Sequence, residues 1–291
     1  MALDLLPDDG SVSPRLDAAS EAIAMSKRGV NAFLNDAAAR LRAPAADWKA
    51  PLSFGVDLGT ATIVITAVDA DRRPIYWDFL PCEAVRDGVV VKFMEAAAAV
   101  RTLKQDASRA IGEDVPAAAS AYPPGVGEAE ARACRFVLEN AGVTCRRLVD
   151  EVSAAQALLQ VREGAIVDVG GGSTGVGVVD KGRLVALSDK PGGGHHLDLI
   201  LAGALHLPIE QAEKRKRAGG REVSSILRPG VERIANSIGK QIAPRMVEAI
   251  HLVGGAIRVP DAPEVISRYL GVATVGYPHS ELVTPFGIAM S

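Results

Sequence analysis

Ile166-Val167-Asp168-Val169-Gly170-Gly171-Gly172-Ser173-Thr174-Gly175-Val176-Gly177-Val178-Val179 is the stretch that decides how this chain is read. An apolar run too short for a helix leads into an aspartate and three consecutive glycines, and a second β-branched run follows Ser173-Thr174. The pattern predicts a β-hairpin. Its turn carries no Cβ atoms for three residues, so a multiply charged ligand can approach the backbone and meet several N–H groups at once. A phosphate chain suits that turn.

A second copy lies upstream. Ser53 to Asp69 contains two β-branched runs bent around Asp57-Leu58-Gly59-Thr60. Both hairpins place an aspartate at the end of the first strand, then glycine, then a hydroxyl residue, then a second strand. Facing each other across a cleft, they would deliver two carboxylates and two small-residue loops to one phosphate chain.

At 291 residues the chain is long enough for two lobes, each with its own core. Hydrophobic residues make up 48% and charged residues 23%, as in ordinary globular proteins, and no apolar run is long enough to span a membrane. The acidic opening Met1 to Asp9 lacks the basic and apolar regions of a secretory signal, so the expected compartment is the cytoplasm. A formal charge of −3 and an aromatic content of 4% give no footprint for nucleic acid. The dense basic run Lys214-Arg215-Lys216-Arg217 reads mainly as a solvated helix face. Cys82, Cys134 and Cys145 are scattered, with no CxxC, which suits a reducing compartment and argues against structural zinc.

Residues 1–48 have a different texture. Leu16, Ala19, Ile23, Val30, Leu34, Ala37 and Leu41 share one side of a helix begun near Pro14 and ended by Ala43-Pro44. The segment packs on its own domain, docks a partner, or forms a disordered leader; periodicity leaves all three open. Further helices are expected over 92–111, 128–141 with Phe136 and Val137 facing inward, 152–160, 195–205, 210–216, 231–242, 245–249, 262–270 and 281–290. Short strands are expected at 74–80, 117–122, 184–188, 250–253 and 272–275. Pro191-Gly192-Gly193-Gly194 precedes a helix, whose unpaired N–H groups form a second place for an anion.

Laid out in this order, the chain resembles the actin-like ATPase superfamily of sugar kinases, actin and DnaK-type chaperones. Asp57-Leu58-Gly59-Thr60 resembles the first phosphate loop and Asp168 to Ser173 the second. Asp150 to Ala155 resembles the first connecting helix, and Glu232 to Gly239 stands where the second connecting segment is expected. Val253-Gly254-Gly255-Ala256-Ile257-Arg258-Val259-Pro260 resembles the adenosine motif. The resemblance runs from about residue 54 to the C-terminus. It implies an α/β, two-lobed actin-like fold of duplicated ribonuclease-H-like domains, ending without a DnaK peptide-binding domain. The expected division is an N-terminal extension over 1–48, a first lobe over 49–160 plus 279–291, and a second over 161–278. Within the superfamily, the length, the leader and the compact segment 85–90 are most similar to the chaperone-like branch associated with bacterial ethanolamine utilisation and its microcompartment.

The resemblance also implies ATP and Mg²⁺ as cofactors. Asp57 and Asp168 match the positions that hold the metal, generally through its waters, and Glu151 matches the residue that aligns the attacking water. Asp168 and Glu151 are thus the expected catalytic pair. Thr60 and Ser173, with the amides of Leu58, Gly59, Gly170, Gly171 and Gly172, would contact phosphate, and Gly194 would close over it. Gly254 and Gly255 would leave room for the nucleoside, Arg258 would pack beside adenine, and Glu213 and Lys216 would contact ribose and base. DnaK-type enzymes use a first-lobe lysine near the γ-phosphate, and neither Lys92 nor Lys104 aligns to it, so slow hydrolysis or binding without turnover is expected. The implied role is a nucleotide-driven conformational switch acting on protein partners, such as ethanolamine-utilisation enzymes or shell proteins. An actin-like filament or adaptor is the alternative. A small-molecule kinase fits less well, because no further aspartate stands out near the phosphate loops to serve as a base.

Overall fold

The computed structural model describes residues 27–86, 89–259 and 261–291. The expected helix positions Leu16, Ala19 and Ile23, and Pro260 of the adenosine motif, lie outside the described residues.

Helix α1 covers 27–38. The first sheet follows, with β1 (Ser53–Leu58), β2 (Thr62–Val68) and β3 (Pro74–Pro81) as an antiparallel meander. After the small hairpin β4 (Val85–Arg86) and β5 (Val89–Val90), the chain forms α2 (Phe93–Ile111), β6 (Ala117–Tyr122), α3 (Glu128–Asn140), β7 (Thr144–Asp150) and α4 (Glu151–Leu159). The second meander is β8 (Gly164–Val169), β9 (Ser173–Asp180) and β10 (Arg183–Pro191). Then come α5 (Gly194–Leu205), α6 (Ile209–Ala218), α7 (Arg221–Ile242), β11 (Ala249–Val253), α8 (Ala262–Leu270), β12 (Ala273–Gly276) and α9 (Val283–Ala289).

The two sheets repeat one topology, with orders β3-β2-β1-β6-β7 and β10-β9-β8-β11-β12. In each, the central strand is antiparallel to its hairpin partner and parallel to the strand on its other side. This is the duplicated arrangement the resemblance implies. The parallel edges bring the C-terminal ends of β1 and β8, and hence both hairpin turns, to the sheet ends where ligands of open α/β sheets gather.

Burial on both faces explains the continuous apolar runs in β2, β8 and β11. The first sheet packs Val56, Ile63 and Ile65 against Val100, Leu103, Val137 and Leu138 of α2 and α3. The second packs Val167, Val176 and Leu252 against Leu197, Leu201, Leu227 and Ile238. A third cluster joins α1 (Val30, Leu34, Ala37) to Leu159, Ile166, Val253 and Phe286. The described part of the first helix therefore has its apolar face covered by its own chain. The strand-like path after it covers the β3 edge: Arg42 N donates to Trp77 O at 3.0 Å and Ala45 N to Ile75 O at 2.9 Å.

Several expectations need correction. Phe136 points outward, 53% exposed, because Ala131, Cys134 and Leu138 define the inner face of α3 and residue 136 lies roughly opposite them on a 100° wheel. The expected helix at 245–249 is a turn running into β11, since parallel pairing of Ile250 with Ala165 claims its end for the sheet. Helix α7 starts ten residues earlier than the expected 231 and runs through Pro229. Val223, Leu227, Val231, Ile234, Ile238 and Ile242 keep one buried face across the proline, so packing offsets the lost hydrogen bond.

The second connecting segment is also elsewhere. Glu232 to Gly239 belongs to α7 and faces the core of the second sheet, whereas the helix that meets α4 is α9. A Cβ on Gly287 would lie 2.0 Å from the Ala154 carbonyl oxygen, and one on Gly55 would lie 2.6 Å from Ala289 N. No other residue permits those backbones to approach so closely.

Candidate functional site: an acid cluster between two hairpin turns

The β1–β2 and β8–β9 turns meet at the sheet ends. A Cβ on Gly171 would stand 3.4 Å from the Cβ of Thr60, so the two turns are in direct apposition. Asp57, on β1, opposes Val64 of its own hairpin; Asp168, on β8, lies between Gly175 of β9 and Val253 of β11. Leu58 is buried in the first core and offers the cleft only its backbone. Glu151 is the first residue of α4, whose N-cap Asp150 accepts a hydrogen bond from Ser153 N at 2.8 Å.

Asp168 is fixed on two sides. Thr284 Oγ1, from α9, donates to Asp168 Oδ2. Asp168 Oδ1 abuts Gly254, where a Cβ would lie 2.5 Å from that oxygen and 2.4 Å from the Val169 carbonyl oxygen. Gly254 also has φ +101°, so both space and backbone conformation require glycine there. Gly255 lies beside Glu281.

The electrostatics of this cluster are one-sided. Burial and then the Asp168 charge push Asp57 up to about 7. Burial pushes Asp168 up to about 6, against the Thr284 hydrogen bond, which favours its charged form. Glu151 is held well above the usual carboxylate range by burial, then by Asp168 and Asp57. Among the described residues no basic side chain offsets any of the three. Such a cluster suits the approach of a cation. Among the described residues no three His, Cys, Asp or Glu side chains converge closely enough to ligate an ion directly. The donor set therefore fits a divalent ion that keeps its own waters between itself and Asp57 and Asp168.

The second turn is braced from behind. The carbonyls of Gly170, Gly171 and Gly172 accept from Gly194 N, His195 N and Gly192 N at 2.9, 2.9 and 2.8 Å. A Cβ on Gly193 would lie 2.2 Å from Gly170 O. Gly170 N turns back to Ser173 O at 3.0 Å, while the N–H groups of Gly171 and Gly172 take no backbone acceptor among the described residues. The N-terminal N–H groups of α5 were expected to be a separate anion site. They are instead committed to the carbonyls of the turn, and so present its opposite, donor side. Ser173 opens β9 opposite Pro191, and Gly59 folds tightly against Thr62 O.

On the other side of the second turn, Gly194 touches Ala256 of the loop after β11 and Lys216 of α6. Lys216 is not part of a solvated face. It is buried, with Nζ 2.7 Å from Asp198 Oδ1 and donating to Gly194 O at 3.1 Å, and so pins α6 to the start of α5. Burial raises the Asp198 carboxyl even with this partner. Glu213 is paired with Arg217 one turn along α6. Arg258 Nη1 is 3.1 Å from Glu281 Oε1. Lys92 pairs with Glu95 at the exposed start of α2, and Lys104 donates to Gly142 O at 2.8 Å, so neither borders the acid cluster. Sequence reasoning missed Thr284 and Asp198: one lay in a terminal helix with no motif of its own, the other inside a generic amphipathic run.

Comparison with known proteins agrees with this geometry. The family model described as MreB/Mbl protein matches residues 81–205, and that described as Cell division protein FtsA matches 165–287. The crystal structure of MreB5 of Spiroplasma citri bound to ADP superposes with a TM-score of 0.66 at 17% identity, covering 81% of this chain and 94% of that one. That likeness is one of fold: both are mixed α/β actin-like ATPase folds. Ethanolamine utilization protein EutJ of Escherichia coli is 34% identical over 244 residues, 84% of this chain and 87% of that protein. The crystal structure of EutJ from Carboxydothermus hydrogenoformans matches with a TM-score of 0.86 at 36% identity, over 91% of this chain and 99% of that one. With a repeated sheet topology, two apposed turns and identity of this extent, the chain belongs to the family of ethanolamine utilization protein EutJ.

Proposed function

We propose that this protein binds ATP with Mg²⁺ between the two hairpin turns and acts as a slow nucleotide-dependent switch on protein partners in ethanolamine utilisation. The observation that carries the reading is the uncompensated cluster Asp57, Glu151 and Asp168 facing two glycine turns. Crowded carboxylates, half-buried at Asp57 and Glu151 and buried at Asp168, are costly without a basic partner, and such groups persist where a cation is to be bound. The lobes that close are taken as 49–160 plus 279–291 and 161–278, with α4 and α9 crossing between them.

Asp57 and Asp168 hold the metal through water, and the metal supplies neutralisation of phosphate charge. Thr60, Ser173 and the amides of the two turns contact phosphate oxygens. Glu151 orients a water in line with the terminal phosphate. Arg258 leaves Glu281 to lie beside the base, and Gly255 gives it room. Glu213 and Lys216 border the ribose. Among the described residues no lysine offsets the acid cluster, which favours retention of ATP over rapid cleavage. The clients are enzymes or shell proteins of the pathway, which places the protein at the microcompartment. Calorimetric titration and phosphate release with Mg-ATP, comparing the natural protein with Asp168→Ala, test the core of this reading. Binding and slow release lost together in the variant are expected. Equal behaviour of the two proteins would refute it.

A further inference from the structure

We propose that Thr284 is a positioning residue that fixes the Asp168 carboxylate relative to Asp57, with α9 as the rigid spacer between them. The inference rests on reading the cleft as a Mg-nucleotide site. It concerns a residue that lies in none of the phosphate, adenosine or connecting motifs recognised in the sequence.

Asp57 and Asp168 stand on different sheets, so something must hold their separation constant if one hydrated ion is to bridge them. Helix α9 touches both supports. Toward the first sheet, Thr66 Oγ1 of β2 donates to Pro285 O at 2.8 Å, and Gly55 of β1 meets the backbone at Ala289 with no room for a Cβ. Gly287 presses equally closely on Ala154 of α4. These backbone contacts leave no slack between α9 and β1, the strand that carries Asp57. Toward the second sheet, α9 packs Phe286 with Ile166 and Val253, and its polar attachment is the Thr284 hydroxyl on Asp168 Oδ2. The Asp168 carboxylate takes no other hydrogen bond among the described residues, and its Oδ1 is confined by Gly254. The terminal torsion of an aspartate is broad and roughly two-fold, so without the hydroxyl the carboxylate plane is free to turn. With it, one oxygen is spent on α9 and the other is aimed at a constant place.

The plainer reading is that Thr284 is a buried hydroxyl satisfying its own hydrogen-bond need. The two readings differ in what depends on metal. Loss of an outer partner of a metal-binding carboxylate costs about 10- to 100-fold in metal affinity, whereas a structural hydroxyl affects folding and metal-free binding alike.

The test uses the full chain and reads ADP affinity with Mg²⁺ and with EDTA, together with the ligand-free thermal midpoint. Thr284→Val should reduce the Mg²⁺-dependent gain in ADP affinity at least about tenfold, leave affinity in EDTA within about twofold, and be rescued by Thr284→Ser. A Mg²⁺-dependent gain unchanged in Thr284→Val would overturn the inference, as would equal losses with and without metal, or a Ser variant no better than Val. If the Val variant does not fold, Thr284→Cys, of similar volume and weak donor strength, takes its place with the same criteria. Asp57→Asn separates the two levels of the argument. Loss of the gain in Asp57→Asn but not in Thr284→Val leaves the nucleotide site standing and removes Thr284 from it. A natural protein with no Mg²⁺-dependent gain overturns both.

Discussion

Replacing Asp57 by asparagine should make the ligand-free protein more stable at pH 8 while abolishing its response to Mg-nucleotide. Asparagine keeps the shape and removes the charge. A carboxyl whose value rises from 3.8 to about 7 carries a charge disfavoured by about 4 kcal/mol in the folded state. Asp57 retains partial solvent contact and shares its repulsion with Asp168, so the expected gain from removing the charge is about 2 kcal/mol, or about 3 °C in Tm. The sign follows from proton counting. Between the unfolded value and about 7 the folded state binds more protons than the unfolded one, so stability falls as pH rises through this window and levels off above it.

The natural protein's own pH profile mixes this effect with others. His251, buried against Tyr277, is held down at about 4, so its contribution falls as pH drops below the ordinary histidine value, which is the opposite slope. Asp69 is held below the usual carboxylate range and loses its contribution only under more acidic conditions. The informative quantity is therefore the difference between Asp57→Asn and the natural protein at each pH, from chemical or thermal unfolding in EDTA. That difference should grow from under about 1 kcal/mol at pH 5 to about 2 kcal/mol at pH 8. Saturating Mg-ADP should stabilise the natural protein and leave the variant unmoved. A difference that is flat with pH, or an asparagine variant less stable at pH 8, would show that the acid cluster is not strained by uncompensated charge.

Three further substitutions probe separate parts of the argument. Gly254→Ala places a Cβ against Val169 O and Asp168 Oδ1 at φ +101°, and about 3 kcal/mol of destabilisation, read as a lower Tm together with lost nucleotide affinity, is expected. Asp69→Ala leaves Lys49 N, Asp71 N and the Arg73 guanidinium without their shared acceptor; unfolding titrations should show a loss of about 3 kcal/mol at pH 7 that shrinks below about pH 4. Lys216→Met strands Asp198 in a buried site and should cost about 3 kcal/mol, most of it recovered by adding Asp198→Asn, in a double-mutant cycle measured by unfolding.

What the sequence disclosed, and what it withheld, divides along chain separation. Both hairpins, Asp57 and Asp168 on their first strands, Glu151 at a helix start and the glycines that end β11 are legible because each is a local pattern: a period of two, a turn without Cβ atoms, a carboxylate at an N-terminus. The pairing of Lys216 with Asp198, the bracing of Gly170 to Gly172 by the start of α5, and the Thr284 bond to Asp168 join residues that are distant in sequence, and no periodicity marks them. Packing likewise carried α7 through Pro229, where local rules end a helix.

The withheld contacts share a direction: each holds a motif from behind. The α5 amides take the carbonyl side of the second turn, so that its N–H groups remain for a ligand. The Thr284 hydroxyl takes one oxygen of Asp168, and Gly254 crowds the other, so that the carboxylate has one orientation. Among the described residues no basic side chain offsets Asp57, Glu151 or Asp168, although arginines and lysines pair with carboxylates across much of the surface. The local motifs can therefore be recognised one by one, whereas the distant contacts decide how the second turn and the Asp168 carboxylate are aimed.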